Sequence, residues 1–230
     1  KIAEQIFKEF DSSFEFTKLI NDGQKVDKGD VAFTIHGPSI TLLSAERLVL
    51  NVMQRMSAIA TLTNKYVKAL EGLNTKVLDT RKTTPLIRFL EKEAVKIGGG
   101  VNHRYGLYDM IMLKDNHNDF AGGIENSINK TILYLTDNNL NLKIEIETRN
   151  MEEVKEVLKV GNIDRIMLDN FNYEDMRKAV KLINNQFETE ASGGINLETV
   201  RKYAECGVDF VSVGALTHSV SNMDLSLKAI

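Results

Sequence analysis

A single cysteine, Cys206, is all the thiol this chain carries. That excludes an internal disulfide framework and a cysteine-rich zinc site. Cys206 lies in "AECGVDF", a helix-to-strand connection, where a buried structural thiol is expected rather than a nucleophile. A reducing, cytoplasmic setting is expected. No stretch approaches the roughly 20 apolar residues of a membrane span. The start, "KIAEQIFKEF", is charged and amphipathic, unlike a secretory signal. The first residue is Lys1, and an N-terminal piece is expected to precede it. An excess of positive charge is also lacking: 29 Lys and Arg face 32 Asp and Glu, for a net charge of −3. Nothing global then argues for nucleic acid or a membrane surface, so any cationic site must be local. The histidines lack a helical His-x-x-x-His pairing, so no metal site of that kind is expected. His117 in "KDNHND" reads as a structural loop histidine.

What is there suffices for one large domain, or one domain with a small appendage, in 230 residues. A division falls near residue 44. Residues 1–43 begin with a short helix and continue as short alternating runs separated by the turn signals Asn21-Asp22-Gly23 and Lys28-Gly29-Asp30. The turn pattern is similar to lipoyl-type domains, but no lysine sits in their modification motif, and a structural cap is expected. Ser44 reads as the N-cap of a long helix, "AERLVLNVMQRMSAIATLTNKYVKAL", with apolar Leu48, Val52, Met56, Ile59 and Val67 at helical spacing. Arg47 would then fall in the first turn, where the helix dipole favours an acid.

From residue 75 a rhythm sets in. Strand-like runs "KVLDT", "MIMLKDN", "KIEIET", "RIMLDN", "TEASGG" and "FVSVGA" end in polar or glycine-rich tips, and amphipathic helical segments follow them. Alternating strand and helix implies right-handed βαβ units and a parallel sheet. The spacing predicts an α/β barrel over residues 44–230, with a doubly wound sheet as the alternative.

In either architecture the C-terminal ends of the strands form the functional face. Those tips carry Arg81 and Lys82 in "LDTRKTTP", then Lys114, Glu147, Asp169, Ser192-Gly193-Gly194 and Gly214-Ala215. Arg104, with His103 beside it, would join them. Clustered cations without anions repel, so this group predicts an anionic ligand, with arginine forks suited to carboxylate or phosphate. Glu147 and Asp169 could bind sugar hydroxyls, hold Mg²⁺ or stabilise developing positive charge, or could simply cap the following helices. Two successive glycine-rich tips after the last strands suit a phosphate. Gly98-Gly99-Gly100 lacks a dinucleotide fingerprint and reads as a turn that lets the chain approach the site closely.

At "AERLVLNVMQRMSAIAT", "LDTRKTTP", "GGGVNHRYGLYDMIMLKDNH", "IEIET", "IMLDN", "ASGGIN" and "SVGALTHS" the chain resembles the quinolinate phosphoribosyltransferase family, from about residue 10 to its C-terminus. The resemblance implies an incomplete, seven-stranded α/β barrel with a partial N-terminal open-faced α+β sandwich domain. Leu86 stands where the family often has Gly. The implied reaction joins quinolinate to the phosphoribosyl group of phosphoribosyl pyrophosphate, giving nicotinate mononucleotide, pyrophosphate and CO₂ in NAD biosynthesis, with Mg²⁺. The implied partners are these substrates and a second copy of the chain, in a homodimer or larger homo-oligomer with shared sites. By the same resemblance, Arg47 reaches a neighbouring site, and Thr80, Arg81, Lys82, His103, Arg104 and Lys114 hold substrate. Lys114, Glu147 and Asp169 act in catalysis, the two carboxylates near the metal, while Ser192, Gly193, Gly194, Val213, Gly214 and Ala215 hold the 5′-phosphate. Two other readings stand beside it: a paralogous phosphoribosyltransferase with another acceptor, and a non-catalytic phosphate-binding barrel.

Overall fold

The computed structural model describes residues 1–230. Helix α1 (Ile2–Phe10) is followed by strands β1 (Glu15–Lys18) and β2 (Phe33–His36), which pair antiparallel. A small apolar cluster holds this module together: Phe7 packs edge-on to Phe14 at 5.6 Å, and Phe16 stacks on Phe33 at 4.6 Å. Ala45 and Val49 of the next helix complete that cluster.

That helix, α2 (Ser39–Ala69), starts five residues before Ser44. Pro38 precedes its first turn, as suits a residue with no N–H to satisfy. Ser44 is therefore not a cap; its hydroxyl donates to the Ile40 carbonyl inside the helix. Arg47 lies beyond the first turn, and its conflict with the helix dipole disappears. The division near residue 44 falls inside α2, whose first half packs on the small cluster and whose second half (Met56, Ile59, Tyr66) enters the main core.

Beyond α2 all six strand-like runs are strands: β3 (Lys76–Leu78), β4 (Ile111–Leu113), β5 (Ile144–Thr148), β6 (Arg165–Asp169), β7 (Glu188–Ser192) and β8 (Phe210–Ser212). They form one parallel sheet in the order β3-β8-β7-β6-β5-β4. A seventh strand is reduced to one residue, Val101, which bridges Leu78 on the free edge of β3. The two ends of the sheet approach each other: Arg104, just past Val101, donates to the Met110 carbonyl at 3.4 Å, immediately before β4. Six full strands and one bridge thus make an incomplete barrel.

Alternation decides the two faces. Val77, Leu113, Ile146, Ile166, Leu168, Ala191 and Val211 point outward into a 32-residue core shared with the helices. The helices after α2 are α3 (Arg88–Ile97), α4 (Asp115–Ala121), α5 (Ile124–Asp137), α6 (Met151–Val160), α7 (Tyr173–Ile183), α8 (Val200–Ala204) and α9 (Ala215–His218), and all but α4 contribute to that core. Burying each large apolar side chain there contributes about 1.5–3 kcal/mol. No helix is long and apolar enough to cross a membrane.

Gly98-Gly99-Gly100 ends α3 against α2, away from the strand tips. A Cβ on Gly98 would lie 2.5 Å from the Ala60 carbonyl oxygen, so the close approach is between helices and not towards the site. Leu86 has φ +69°, a left-handed conformation that favours glycine, and is almost fully exposed. Cys206 is buried and donates to the Lys202 carbonyl; burial pushes its thiol up.

Candidate active site

The strand tips meet over the concave side of the sheet. Beneath them α3 turns a charged face inward, and three of its side chains fix two loops. Lys92 and Asp79, both fully buried, pair at 2.5 Å, and Asp79 also accepts from the His103 N–H at 2.8 Å. Burial raises the Asp79 carboxyl and lowers the Lys92 ammonium, against their mutual attraction. Arg88 donates to Thr83 and to the Tyr105 carbonyl, both at 2.9 Å. Glu91 accepts from the Thr84 N–H at 3.0 Å. The loop after β3 and the chain around residues 103–105 are therefore held from below.

Above this support stand Arg81 and Arg104. The Arg81 Nε is shielded from solvent and has no hydrogen-bond partner. Arg104 reaches only the Met110 carbonyl and, at 3.6 Å, the Met112 sulfur. Burial and then the charge of Arg81 push the Arg104 guanidinium down. Neither guanidinium is in a salt bridge, and two such forks at one mouth can receive an anion. Thr80 stiffens the loop by accepting from the Lys82 N–H at 3.0 Å.

Lys114, at the β4 tip, donates to Glu147 Oε2 at 2.6 Å; the carboxylate is 9% exposed and the ammonium 46%. Asp169 extends β6 on the face shared by Met167, and its Oδ2 accepts from Asn170 Nδ2 at 2.6 Å. Neither acid caps a helix. Asn150 caps α6 and Asn172 caps α7. Both carboxylates stand at adjacent strand tips, Glu147 paired with Lys114 and Asp169 with the Asn170 amide.

His103 departs from the expectation of an anion-binding donor. Its Nδ1 accepts from the Arg104 N–H at 2.6 Å. Its Nε2 turns into the barrel, 2.9 Å from Glu145 and 3.3 Å from Glu190. Nδ1 is engaged, while Nε2 lies within ion-pair range of both carboxylates without an aligned hydrogen bond, so the ring faces the barrel interior and orients Arg104. Arg165 lies 3.1 Å from Glu190 and sits over the Phe210 ring at 4.1 Å. His103, Glu145 and Glu190 could supply three metal ligands, and the Arg165 cation lies against the same carboxylate pair, 3.1 Å from Glu190 and 3.9 Å from Glu145. His117 is likewise not a loop residue: it lies in the first turn of α4, and its Nδ1 accepts from the Lys114 N–H at 2.9 Å.

The last two tips lie side by side. Gly193 and Gly194 have φ +101° and +60°. A Cβ on Gly193 would meet Asn170 Oδ1 at 2.2 Å, whereas nothing lies within 4 Å of one on Gly194. Gly194 therefore presents open backbone. Val213, Gly214 and Ala215 lead into α9, and a Cβ on Gly214 would be 3.2 Å from Lys82 Cδ, so the Lys82 stem crosses the β8 tip. Ser192 ends β7 opposite Asp169 on β6. Arg47 is exposed on α2 beside Ile40, Leu43 and Leu48, which are also exposed, and belongs to none of these groups within one chain.

Sequence reasoning missed Arg55, Glu91, Glu145, Arg165, Glu190 and Thr217. A signal for three of them was present. Glu145 and Glu147, Arg165 and Asp169, and Glu190 and Ser192 each share one face of a strand by alternation.

Two family models together match nearly the whole chain: "Quinolinate phosphoribosyl transferase, N-terminal domain" at residues 1–57 and the corresponding C-terminal domain at residues 59–228. The mitochondrial "Quinolinate phosphoribosyltransferase [decarboxylating] 2" of Nicotiana glauca is 46% identical over 99% of this chain and 68% of its own length. A "Probable nicotinate-nucleotide pyrophosphorylase [carboxylating]" of Bacillus subtilis is also 46% identical, over 90% of this chain and 70% of its own. The crystal structure of NadC from Streptococcus pyogenes superposes with a TM-score of 0.93 at 38% identity, covering 99% of this chain and 79% of that one.

Proposed function

The chain belongs to the quinolinate phosphoribosyltransferase family, and from that premise we infer that its barrel mouth joins quinolinate to a phosphoribosyl group with loss of CO₂. The observation that carries the reading is the buried, unpartnered Nε of Arg81 at a mouth where Arg104 also lacks a salt bridge. A dicarboxylate supplies the charge they lack.

The donor of the phosphoribosyl group is phosphoribosyl pyrophosphate. Its 5′-phosphate suits the open backbone of Gly194 and the tip at Val213, Gly214 and Ala215. Lys82, crossing that tip, supplies a compact positive charge. Glu147 and Asp169 on adjacent tips fit one Mg²⁺, which binds through one or two carboxylates plus substrate phosphates. When bound, the ion neutralises charge on the departing pyrophosphate.

As the bond from ribose C1 to pyrophosphate breaks, positive charge develops on the sugar, and Glu147 and Asp169 stabilise it electrostatically. The quinolinate nitrogen forms the new bond and becomes a pyridinium. Arg81, Arg104 and Lys114 fix the carboxylates, a contribution of proximity and orientation. The bond to the adjacent carboxylate then breaks, CO₂ leaves, its electron pair stays on the ring carbon, and a proton completes the product. Arg47, exposed on an apolar stripe of α2, reaches the site of a second copy in a homodimer.

An ultraviolet assay with quinolinate or nicotinate as acceptor, with and without Mg²⁺, tests this reading. Turnover of quinolinate that a chelator abolishes is expected. Turnover of nicotinate alone would replace it with the paralogous reaction.

A further inference from the structure

We propose that Arg55 and Glu91 are positioning residues: their buried ion pair locks the Arg81–Lys82 loop to the β8 tip and sets the anion-binding cations in register with the phosphate-binding backbone. This rests on the phosphoribosyl-transfer reading of the same mouth.

Glu91 is wholly buried on α3, and Arg55, one fifth exposed, comes from α2. Glu91 Oε1 accepts from Arg55 Nε at 3.0 Å and from Nη2 at 2.8 Å. A pair that merely joined two helices would end there. Glu91 also takes the Thr84 hydroxyl at 2.8 Å and the Thr84 N–H at 3.0 Å, which fastens the loop after β3. The remaining reach of Arg55 goes to the Thr217 carbonyl in α9 and, at 3.4 Å, to the Val220 carbonyl. Thr217 in turn donates its hydroxyl to the Lys82 carbonyl at 2.8 Å.

The contacts close a circuit from Arg55 through Glu91, Thr84, the backbone to Lys82, Thr217 and back to Arg55. Every member outside α2 and α3 belongs to the cationic loop or to the segment after β8. A planar fork with several donors can hold all these acceptors at once; an ammonium cannot. Slack in the circuit moves Lys82 and Gly214 relative to each other, so it weakens substrate binding more than it slows the chemistry.

Steady-state kinetics of Arg55→Lys and Thr84→Val test this, with folding checked by thermal unfolding and pyrophosphate binding by titration calorimetry. In Arg55→Lys, KM for phosphoribosyl pyrophosphate is expected to rise about 10-fold, with kcat falling less and pyrophosphate affinity weakening in step. Thr84→Val keeps the ion pair and should shift the same quantities in the same direction by less. A purely structural role would lower the unfolding temperature and leave KM unchanged. Folded variants with wild-type KM and pyrophosphate affinity would overturn the proposal. If Arg55→Lys does not fold, Thr84→Val decides alone. Wild-type protein that fails to use quinolinate would remove the functional reading, whereas wild-type turnover with unaltered variants removes only the positioning role.

Discussion

At His103 burial and charge pull in opposite directions. Burial alone would lower the pKa of the ring, but the close carboxylates of Glu145 and Glu190 outweigh it and lift the ring from 6.5 to about 9. Burial, with Glu190 adding, raises the Glu145 carboxyl from 4.5 to about 7. The two groups face each other at 2.9 Å, so the extra proton belongs to the cluster as a whole. The folded barrel therefore holds a proton that the unfolded chain has released. For His103 the folded pKa exceeds the unfolded one, so its stabilisation is complete below pH 6.5 and is lost as pH rises through about 9. Glu145 acts in the same direction between about pH 4.5 and 7. Unfolding temperatures recorded across that range should fall with rising pH, and Glu145→Gln should flatten the decline. An identical slope in the variant would show that the cluster is not its source.

Helix α2 links three parts of the molecule. Its first half completes the small N-terminal cluster, its second half enters the barrel core, and Arg55 between them supports the site. Arg47 sits on the opposite duty: it is exposed, with Ile40, Leu43 and Leu48 around it. If Arg47 serves a neighbouring site, Arg47→Ala and Lys114→Ala proteins should each be inactive. Once subunits exchange, a mixture should recover about a quarter of wild-type turnover, since half the dimers then hold one complete site. No recovery after proven exchange would confine Arg47 to its own chain. The extent of α2 was partly legible. Its apolar spacing marked the body of the helix, but Ser44 resembled a cap and Pro38 marked the true start, because both residue types suit an N-terminus and only tertiary packing chooses between them.

Across the whole molecule, what sequence revealed was whatever repeats along the chain. All six strands showed as short apolar runs with polar tips, and the tips named Arg81, Lys114, Glu147 and Asp169 because parallel strands place their C-terminal ends on one face. Contacts across the barrel carry no such local signal. The two sides of His103 depend on strands β5 and β7, far away in sequence, and the Arg55 circuit joins segments more than 100 residues apart. The glycines at 98–100 read as a close approach to the site, whereas the approach is to Ala60 on α2, a contact with no local signal. All these elements build one mouth, and decarboxylating transfer there is checked by mass spectrometry with quinolinate labelled with ¹³C in its 2-carboxylate, phosphoribosyl pyrophosphate and Mg²⁺. Unlabelled nicotinate mononucleotide and labelled CO₂ in equal amounts are expected; a nucleotide that retains the label, or no nucleotide at all, would refute that reaction.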